Sequence, residues 1–473
     1  MTGSTDRSGP TANPGDPDHE QLQEQARRHL WMHFTRMGRA ADQEWPVIAS
    51  GEGCHVTDTA GRRYLDGLSG LFTSQLGYGR RELAGVAAEQ AERMHYFPLW
   101  SHAHPPAVEL ATRLAGLAPG DLNRVFFTVS GSESVESALK LARQYHRANG
   151  EPGRYKVLSR VGSYHGTTMG ALAITGLAQF REPFEPLPSG FLKFPNCNAF
   201  RPAFPGLTGE DLTDALIASV EQQILAEGAH TVAALFVEPL QNAGGCLPPS
   251  SDTYYAKLRG LCDRHGILLV SDEVICAYGR LGTMFGCERY GFQPDMITTA
   301  KGLTSGYSPL GAVLVSDRLM EPFLADPLAS FTHGITFGGH PVSCAVALEN
   351  LDIFEREGVV DHVDRHRHTF RDLLEELRDI PIVGDVRGEG YFWAVELVKD
   401  QDTNARFDRH EVEPLLRGLI GPRLLELGLI ARADDRGDPV LQFAPPLVAG
   451  PAELEELVGI TRKVLEEAVT AVR

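Results

Sequence analysis

The feature that most constrains the fold is an alternation of short apolar runs and helical stretches between residues 124 and 316. Runs with the length and composition of strands occur at 124–129, 155–160, 232–240, 266–274 and 311–316. The stretch 132–148 follows the first run and has the i, i+3, i+4, i+7 apolar spacing of a helix, at Val135, Ala138, Leu139 and Ala142. Strands that alternate with helices form mostly parallel sheets that helices cover. The sequence therefore predicts an α/β fold with a large, buried, mostly parallel sheet.

The segments that flank this region have a different character. After about residue 341, long charged helical runs surround a few strands, which favours a smaller α+β domain. The N-terminus is polar and rich in Gly, Pro, Ser, Thr and Asp, a composition typical of disorder. We therefore predict a disordered tail at 1–18, an N-terminal segment at 19–75 that joins the small domain, a large domain at 76–340 and a small domain at 341–473.

The composition excludes several kinds of partner. A formal net charge of −18 argues against a surface that binds nucleic acid or an anionic membrane through clustered Lys and Arg. The seven cysteines are an odd number without a C-x-x-C pair, which does not indicate a disulfide framework. The sequence shows no apolar core of a secretory signal and no run long enough to span a bilayer. We expect a cytoplasmic protein that binds small molecules, without a nucleic acid or membrane partner.

Polar residues follow several of the predicted strands. Ligands of open parallel sheets bind at the carboxyl ends of the strands, so these residues are candidates for a site. Asp272 and Glu273 end "ILLVSDEV", where burial of a carboxylate is costly unless a cation compensates. "SGSE" at 130–133 opens a helix and presents N–H groups and the positive end of the helix dipole to an anion. Tyr164 and His165 follow another strand beside the same edge, with an aromatic ring that can stack on a planar ligand.

Lys301, in "MITTAKGLTSGY", stands at the end of a short β-branched run and directly before Gly302. Taken singly, these groups have ordinary explanations: "SGSE" is a helix cap, the acidic pair a strand-end turn, Tyr164 half-buried packing and Lys301 a solvated loop residue. The two histidines of "HAH", His102 and His104, are too few to indicate a metal.

The combination of these groups matches the requirements of pyridoxal phosphate. That cofactor needs an amine that binds it covalently, an acid beside its ring nitrogen, a cradle for its phosphate and an aromatic face. Lys301, Asp272, Gly131 with Ser132, and Tyr164 supply these groups in turn. The sequence therefore predicts pyridoxal 5'-phosphate as the cofactor.

A set of motifs, in collinear order, resembles the class-III, fold-type I aminotransferases that use pyridoxal phosphate. They are "SGSESVESALKLAR" (130–143), "YHG" (164–166), "VEPLQNAGG" (237–245), "LLVSDEVICAYGRLG" (268–282), "TTAKGLTSGYSPLGAV" (298–313), "HGITFGGHP" (333–341) and "RGEGYFWAVEL" (387–397). The resemblance extends from about residue 29 to 448 and is greatest to the amine– and ω-amino-acid–pyruvate aminotransferases. It implies transfer of an amino group from a primary amine or ω-amino acid to an α-keto acid such as pyruvate, in two half-reactions. Racemases, aminomutases and decarboxylases on the same fold are the alternative.

The resemblance also implies roles for individual residues at the cofactor. Lys301 would bind the cofactor and later carry the proton, and Asp272 would pair with the ring nitrogen. Thr336 would reach the phosphate from a neighbouring subunit, which implies a homodimer or a dimer of dimers with shared sites. The other residues expected at the cofactor are Ser130, Gly131, Ser132, Tyr164, His165, Glu238 and Val274.

Three residues are candidates for binding the substrate. By resemblance Phe72 and Trp100 would form pocket walls, although each side chain is equally compatible with the core. Arg432, in "GLIARADDRGDPVLQFAPPLV", matches an arginine that binds the substrate carboxylate and can swing away. The acidic, Gly-containing "DDRGD" makes this loop look longer than usual, so Arg436 is the alternative for that role.

Overall fold

A seven-stranded sheet lies at the centre of the structure, a computed structural model that describes residues 18–39 and 44–472. The predicted tail at 1–18 therefore lies outside the described residues except for its last residue. In chain order the strands are β1 Ile48–Glu52, β2 His55–Asp58, β3 Arg63–Asp66, β4 Arg124–Thr128, β5 Lys156–Arg160, β6 Phe191–Phe194, β7 Val232–Val237, β8 Leu268–Asp272, β9 Met296–Thr299, β10 Gly311–Val315, β11 Val383–Glu389, β12 Phe392–Leu397, β13 Leu429–Ile430, β14 Arg432–Asp434 and β15 Val440–Phe443. The central sheet has the order β4-β10-β9-β8-β7-β5-β6.

The central sheet is mostly parallel, as predicted. Only β10 runs antiparallel to its neighbours, β4 and β9. The remaining pairs are parallel. Every residue of β7 and β8 is buried, because helices cover both faces of the sheet, and these strands therefore read as continuous apolar runs rather than alternating ones.

The longer helices of the described residues are α1 His19–His29, α2 Arg81–Met94, α3 Pro105–Leu117, α4 Gly131–Ala148, α5 Gly209–Glu227, α6 Tyr254–His265, α7 Pro341–Arg356, α8 Val359–Glu375 and α9 Pro451–Val472. Short helical segments lie at Ser69–Phe72, Met169–Ile174, Ala178–Arg181, Gly286–Arg289, Glu321–Ala325, Arg409–Glu413 and Gly421–Glu426, with a π-helical segment at Pro414–Ile420. Helix α4 follows β4 and buries the predicted apolar face, including Val135 and Ala142, against the central sheet. This β-α unit places the start of α4 at the carboxyl end of its strand.

The sequence did not predict strand β6, which is short and carries a charged residue. Lys193 lies in the middle of this strand, where its Nζ donates to Ser159 Oγ and to the carbonyl oxygens of Ala173 and Ile174, at 2.8–2.9 Å. Burial lowers the pKa of Lys193 to about 7. A lysine satisfied by neighbouring strand and helix groups cannot be distinguished in sequence from a solvated one.

Two smaller sheets lie outside the central sheet. One has the order β1-β2-β3-β13, in which β13 runs parallel to β3, so residues 48–66 are joined to the C-terminal part of the chain. The other is antiparallel, with the order β11-β12-β15-β14, and α8 contacts both β11 and α9. Helix α7 packs against α2 and α3. The predicted division into an N-terminal segment, a large domain and a small domain stays a prediction.

The described residues lack the features of two other kinds of function. None of their helices has both the length and the apolar character that crossing a membrane requires. Nor do three or more metal-ligating side chains come together among them. His104 of the "HAH" motif instead caps α3, where its Nδ1 accepts the N–H of Ala107, and its Nε2 lies 2.9 Å from the Gly339 carbonyl oxygen.

Candidate active site

Asp272 lies buried at the carboxyl end of β8, and three neighbours orient its carboxylate. His165 Nδ1 lies 2.7 Å from Oδ2, while Oδ1 accepts the Thr298 hydroxyl at 3.1 Å and the Val274 N–H at 3.2 Å. The Thr298 contact depends on the parallel register of β8 and β9, in which Asp272 lies opposite Thr298. Two of the predicted site residues, Asp272 and His165, are thus brought together, and sequence reasoning missed their neighbour Thr298.

Glu273 points away from this cluster. Its carboxylate accepts the N–H groups of Gly286 and Cys287 and the hydroxyl of Ser271. Burial raises the pKa of Glu273 to about 7, against the opposing effect of these hydrogen bonds. Glu273 therefore ties a loop to the strand end, and of the two acidic residues in "SDEV" only Asp272 faces the cluster.

Glu238 is buried beside the same strand ends. Its Oε1 accepts the N–H of Tyr164 at 3.2 Å and its Oε2 accepts the N–H of Asn242 at 3.0 Å. Burial raises the pKa of Glu238, although the charge of His165 and these backbone donors oppose the increase. The side chain thus fixes the loop that carries Tyr164 and His165.

Lys301 is a half-buried residue that follows β9 and faces the cluster. Among the described residues its Nζ makes no hydrogen bond or ion pair, and it lies 5.0 Å from the ring centroid of Phe72. Burial lowers the pKa of Lys301 to about 8; the charge of Arg432 adds to this effect, and the charges of Asp272 and Glu238 oppose it. An amine with this pKa and no partner is available as a nucleophile and a base.

The glycine after Lys301 is required by close packing. A Cβ on Gly302 would lie 2.0 Å from Gln75 Oε1, so no other residue fits there without displacing that side chain. Lys301 itself has φ +46°, in the left-handed region that residues with a Cβ rarely adopt. The backbone at this turn therefore points the lysine out of the packed strand end.

The N-terminus of α4 presents free N–H groups at the same edge. Ser130 caps the helix by accepting the N–H of Glu133 at 3.3 Å, and no acceptor among the described residues binds the N–H groups of Gly131 and Ser132. A Cβ on Gly131 would lie 2.7 Å from Val274 Cγ1, so Val274 packs against the helix start. With the helix dipole, these donors form a site for an anion such as a phosphate.

Tyr164 and Phe180 form an aromatic wall over the strand ends. The Tyr164 ring is half-buried and lies edge-on to Phe180, with 6.2 Å between centroids. Phe34 also stacks on Phe180, with 5.3 Å between the ring centroids. Burial raises the pKa of the Tyr164 phenol. Phe180 and Phe34 were not predicted, because a lone phenylalanine in a loop carries no signal that places it beside a site.

Phe72 and Arg432 join the cluster from distant parts of the chain. Phe72 is buried, and the Arg432 Cζ lies 5.8 Å from its ring centroid, near Lys301. The pKa of Arg432 is lowered to about 10, mainly by burial and also by the charge of Arg436. Arg436 instead donates hydrogen bonds to Asp434, with its Nε 2.7 and 2.8 Å from the two carboxylate oxygens. The geometry thus leaves Arg432, and not Arg436, available at the site.

Trp100 and Thr336 do not join the cluster within one chain. Trp100 is 64% exposed, and its ring lies beside Gly334. The Thr336 side chain is exposed, while its carbonyl oxygen accepts the Tyr96 hydroxyl at 2.8 Å. Among the described residues, neither side chain bonds to or stacks on a member of the cluster. Their predicted roles are untested by the geometry of a single chain.

The assembled groups fit pyridoxal phosphate. The unpartnered amine of Lys301, the oriented carboxylate of Asp272 and the free N–H groups at Gly131 and Ser132 stand at one sheet edge. Tyr164 borders the same space. These are an amine for covalent attachment, an acid, a phosphate cradle and an aromatic face, the set that this cofactor requires.

Comparison with known proteins shows the family. The model of the class-III aminotransferases matches residues 37–465. A Mycobacterium tuberculosis protein named as a probable aminotransferase is 56% identical over 443 residues, which is 93% of each chain. The putrescine–pyruvate aminotransferase of Pseudomonas aeruginosa is 37% identical over 94% of this chain and 96% of its own. The ω-transaminase of Pseudomonas jessenii in complex with PMP superposes with a TM-score of 0.91, at 36% identity, over 95% of this chain and 99% of that one.

The chain belongs to the class-III aminotransferases, as its motifs predicted. Enzymes of this class use pyridoxal phosphate, so this protein is a pyridoxal-phosphate-dependent aminotransferase with the fold of the ω-transaminases.

Proposed function

We propose that this enzyme moves the amino group of a primary amine or ω-amino acid to an α-keto acid such as pyruvate. The observation that carries the proposal is Arg432, a cation beside Lys301 and over the ring of Phe72, without a hydrogen bond among the described residues. A keto acid brings a carboxylate that this guanidinium can bind in two parallel hydrogen bonds. The apolar surface of Phe72 and Tyr164 suits a donor without a carboxylate. The names of the relatives, which include a putrescine–pyruvate aminotransferase, support the same substrates.

The cofactor is proposed to bind through the groups that meet at the strand ends. Lys301 would attach it, and Asp272 would face its ring nitrogen with a carboxylate that His165 and Thr298 hold in place. The N–H groups of Gly131 and Ser132, with Ser130, would bind its phosphate. Tyr164 and Val274 would contact its two faces, and Glu238 would hold the Tyr164 loop.

When bound, pyridoxal phosphate supplies an electron sink for negative charge on the substrate carbon. Lys301 Nζ is proposed to take the proton from that carbon and to return it, as a general base and then a general acid. The pKa of about 8 favours both tasks near neutral pH. The ring of Phe72, whose centroid lies 5.0 Å from Nζ, covers one side of this amine.

Replacing Arg432 with alanine tests the substrate assignment. The pyruvate half-reaction should weaken by about 2–5 kcal/mol, the worth of a charged hydrogen-bonded pair. A carboxylate-free amine should react almost as before, because it does not use the guanidinium. Rapid-mixing absorbance measurements resolve the two half-reactions. Arg63→Ala, which removes an exposed arginine on β3, is the control. Equal losses in both half-reactions, or no loss in either, would remove Arg432 from the site.

A shared site in a homodimer, or in a dimer of dimers, is part of the proposal. Exposed aromatic side chains surround the Thr336 loop, including Phe337, Phe97 and Trp100, which supports a covered face there. Thr336 would then reach the phosphate cradle of the other subunit.

Subunit mixing tests the shared site. Lys301→Ala and Thr336→Ala chains should each have little activity, whereas random reassociation should restore about a quarter of the sites, because mixed dimers contain one intact site. Steady-state rates before and after reassociation provide the measurement. Mixing Thr336→Ala with a chain that carries both substitutions should restore nothing. Normal turnover by a verified monomer would refute the shared site.

A cytoplasmic location is also proposed. All seven cysteines are buried and none forms a disulfide. Reduced cysteines of this kind are typical of a reducing compartment.

A further inference from the structure

Two arginines share one buried carboxylate at the edge of the site. In strand β14, Arg432 and Asp434 are two residues apart, so their side chains lie on the same face of the strand. The Asp434 side chain is only 3% exposed. Arg436 follows in the loop after the strand, and its guanidinium turns back onto the same carboxylate.

Arg436 takes almost all of the hydrogen-bonding capacity of Asp434. Its Nε lies 2.7 Å from Oδ1 and 2.8 Å from Oδ2, its Nη2 also donates to Oδ2, and its backbone N–H donates to Oδ1 at 3.0 Å. The closest approach of Arg432 to Asp434 is 3.6 Å, from Nε to Oδ2, which is an ion pair without a hydrogen bond. The two arginines are therefore unequal partners of this carboxylate.

The charges in this group do not cancel. Burial would raise the pKa of Asp434, but the hydrogen bonds and charge of Arg436 and the charge of Arg432 lower it, so the carboxylate is ionised at neutral pH. One carboxylate thus faces two guanidinium groups, and the excess positive charge resides on Arg432, the arginine that lacks hydrogen bonds. A second carboxylate, brought by a substrate, would neutralise the group.

Ion pairs of the residues before and after Arg436 hold the loop that carries it. The Arg417 guanidinium donates to Asp435 at 2.9–3.2 Å. Asp438 pairs with Arg201 at 3.1 Å and with Arg406 at 2.8 Å. Arg436 therefore stands in a segment that ion pairs hold, whereas the Arg432 guanidinium makes no hydrogen bond within the described residues; it lies 5.8 Å from the Phe72 ring centroid and 3.6 Å from one oxygen of Asp434.

We propose that Arg436 is a positioning residue that determines specificity: by occupying Asp434, it keeps Arg432 free to bind a substrate carboxylate. The inference rests on the proposed role of Arg432. Without Arg436, both oxygens of Asp434 become free to accept two parallel hydrogen bonds from the guanidinium of Arg432. The buried Asp434 carboxylate then competes with the keto acid for that guanidinium. Asp434 then holds Arg432 away from the substrate.

The test replaces Arg436 with methionine, which keeps the length of the side chain and removes the charge and the donors. We expect the apparent KM for pyruvate to increase roughly tenfold, equivalent to about 1.4 kcal/mol. The kcat at saturating pyruvate and the half-reaction of a carboxylate-free amine should change less than about twofold, because neither depends on the competition for Arg432. The affinity for 3-phenylpropionate, an unreactive carboxylate, should fall in parallel when measured by calorimetry.

A second substitution distinguishes competition from simple loss of structure. Adding Asp434→Asn to Arg436→Met removes the competing charge, so the KM for pyruvate should return toward the original value. Arg436→Lys keeps the positive charge but lacks the parallel N–H donors of a guanidinium. It should shift the KM for pyruvate in the same direction as Arg436→Met, by a smaller factor. If the methionine variant does not fold, the lysine variant decides the question.

Three outcomes overturn the proposal. The first is an unchanged KM for pyruvate in Arg436→Met when Arg432→Ala does impair the pyruvate half-reaction. The second is an equal loss in both half-reactions of the Arg436 variants, and the third is a failure of Asp434→Asn to restore binding. If Arg432→Ala also leaves the pyruvate half-reaction intact, the proposed carboxylate site fails together with this inference.

Discussion

Replacing Lys301 with alanine is expected to abolish transamination and to leave the fold intact. At its lowered pKa of about 8, about a tenth of the Lys301 amine is neutral at pH 7, against under about one in a thousand for an ordinary lysine. Within residues 18–39 and 44–472 no other lysine follows β9 directly, so turnover should fall by at least about a thousandfold. The measurement is the steady-state rate with an amine donor and pyruvate, with thermal unfolding as the check on the fold.

Lys193 provides the matched control for this substitution. It is also a buried lysine with a lowered pKa, but its Nζ is satisfied by Ser159 and by two carbonyl oxygens of the helix at Met169–Ile174. Lys193→Met should lower thermal stability and keep the turnover of the folded enzyme. Full activity in Lys301→Ala would show that another amine carries the reaction.

Replacing Asp272 with asparagine should slow proton transfer by several powers of ten, where each tenfold is about 1.4 kcal/mol of barrier. Asparagine keeps the size of the side chain but removes the negative charge that is proposed to face the ring nitrogen. Single-turnover rates measure the effect, and the absorbance that remains after gel filtration measures retention of the cofactor, which should also weaken.

Glu273→Gln is the control for Asp272, because Glu273 is the adjacent buried carboxylate and points to Gly286 and Cys287 instead of the site. It should reduce stability and leave the proton-transfer rate within about tenfold of the original. A mild effect of Asp272→Asn on proton transfer would mean that a different residue faces the ring nitrogen.

The local sequence was sufficient for most of the central sheet. Runs such as 232–240 and 266–274 contain β7 and β8, because strands buried on both faces are apolar throughout their length. Strand β6 escaped prediction, since the side chain of Lys193 in its centre is satisfied by groups on other elements. The pairing of β13 with β3 joins segments more than 300 residues apart. Strand β13 has only two residues, which is too few for the sequence to predict its partner.

The sequence by itself determined the family and the cofactor, because the motifs of the class stand in collinear order along the chain. The roles of the candidate residues stay predictions. The sequence could not show that Glu273 faces away from Asp272, or that Thr298 lies opposite it, since those facts depend on strand register. Nor could it decide between Arg432 and Arg436. Only the tertiary structure separates these two arginines, because the turn after β14 folds Arg436 onto a buried carboxylate and leaves Arg432 beside Lys301 and Phe72.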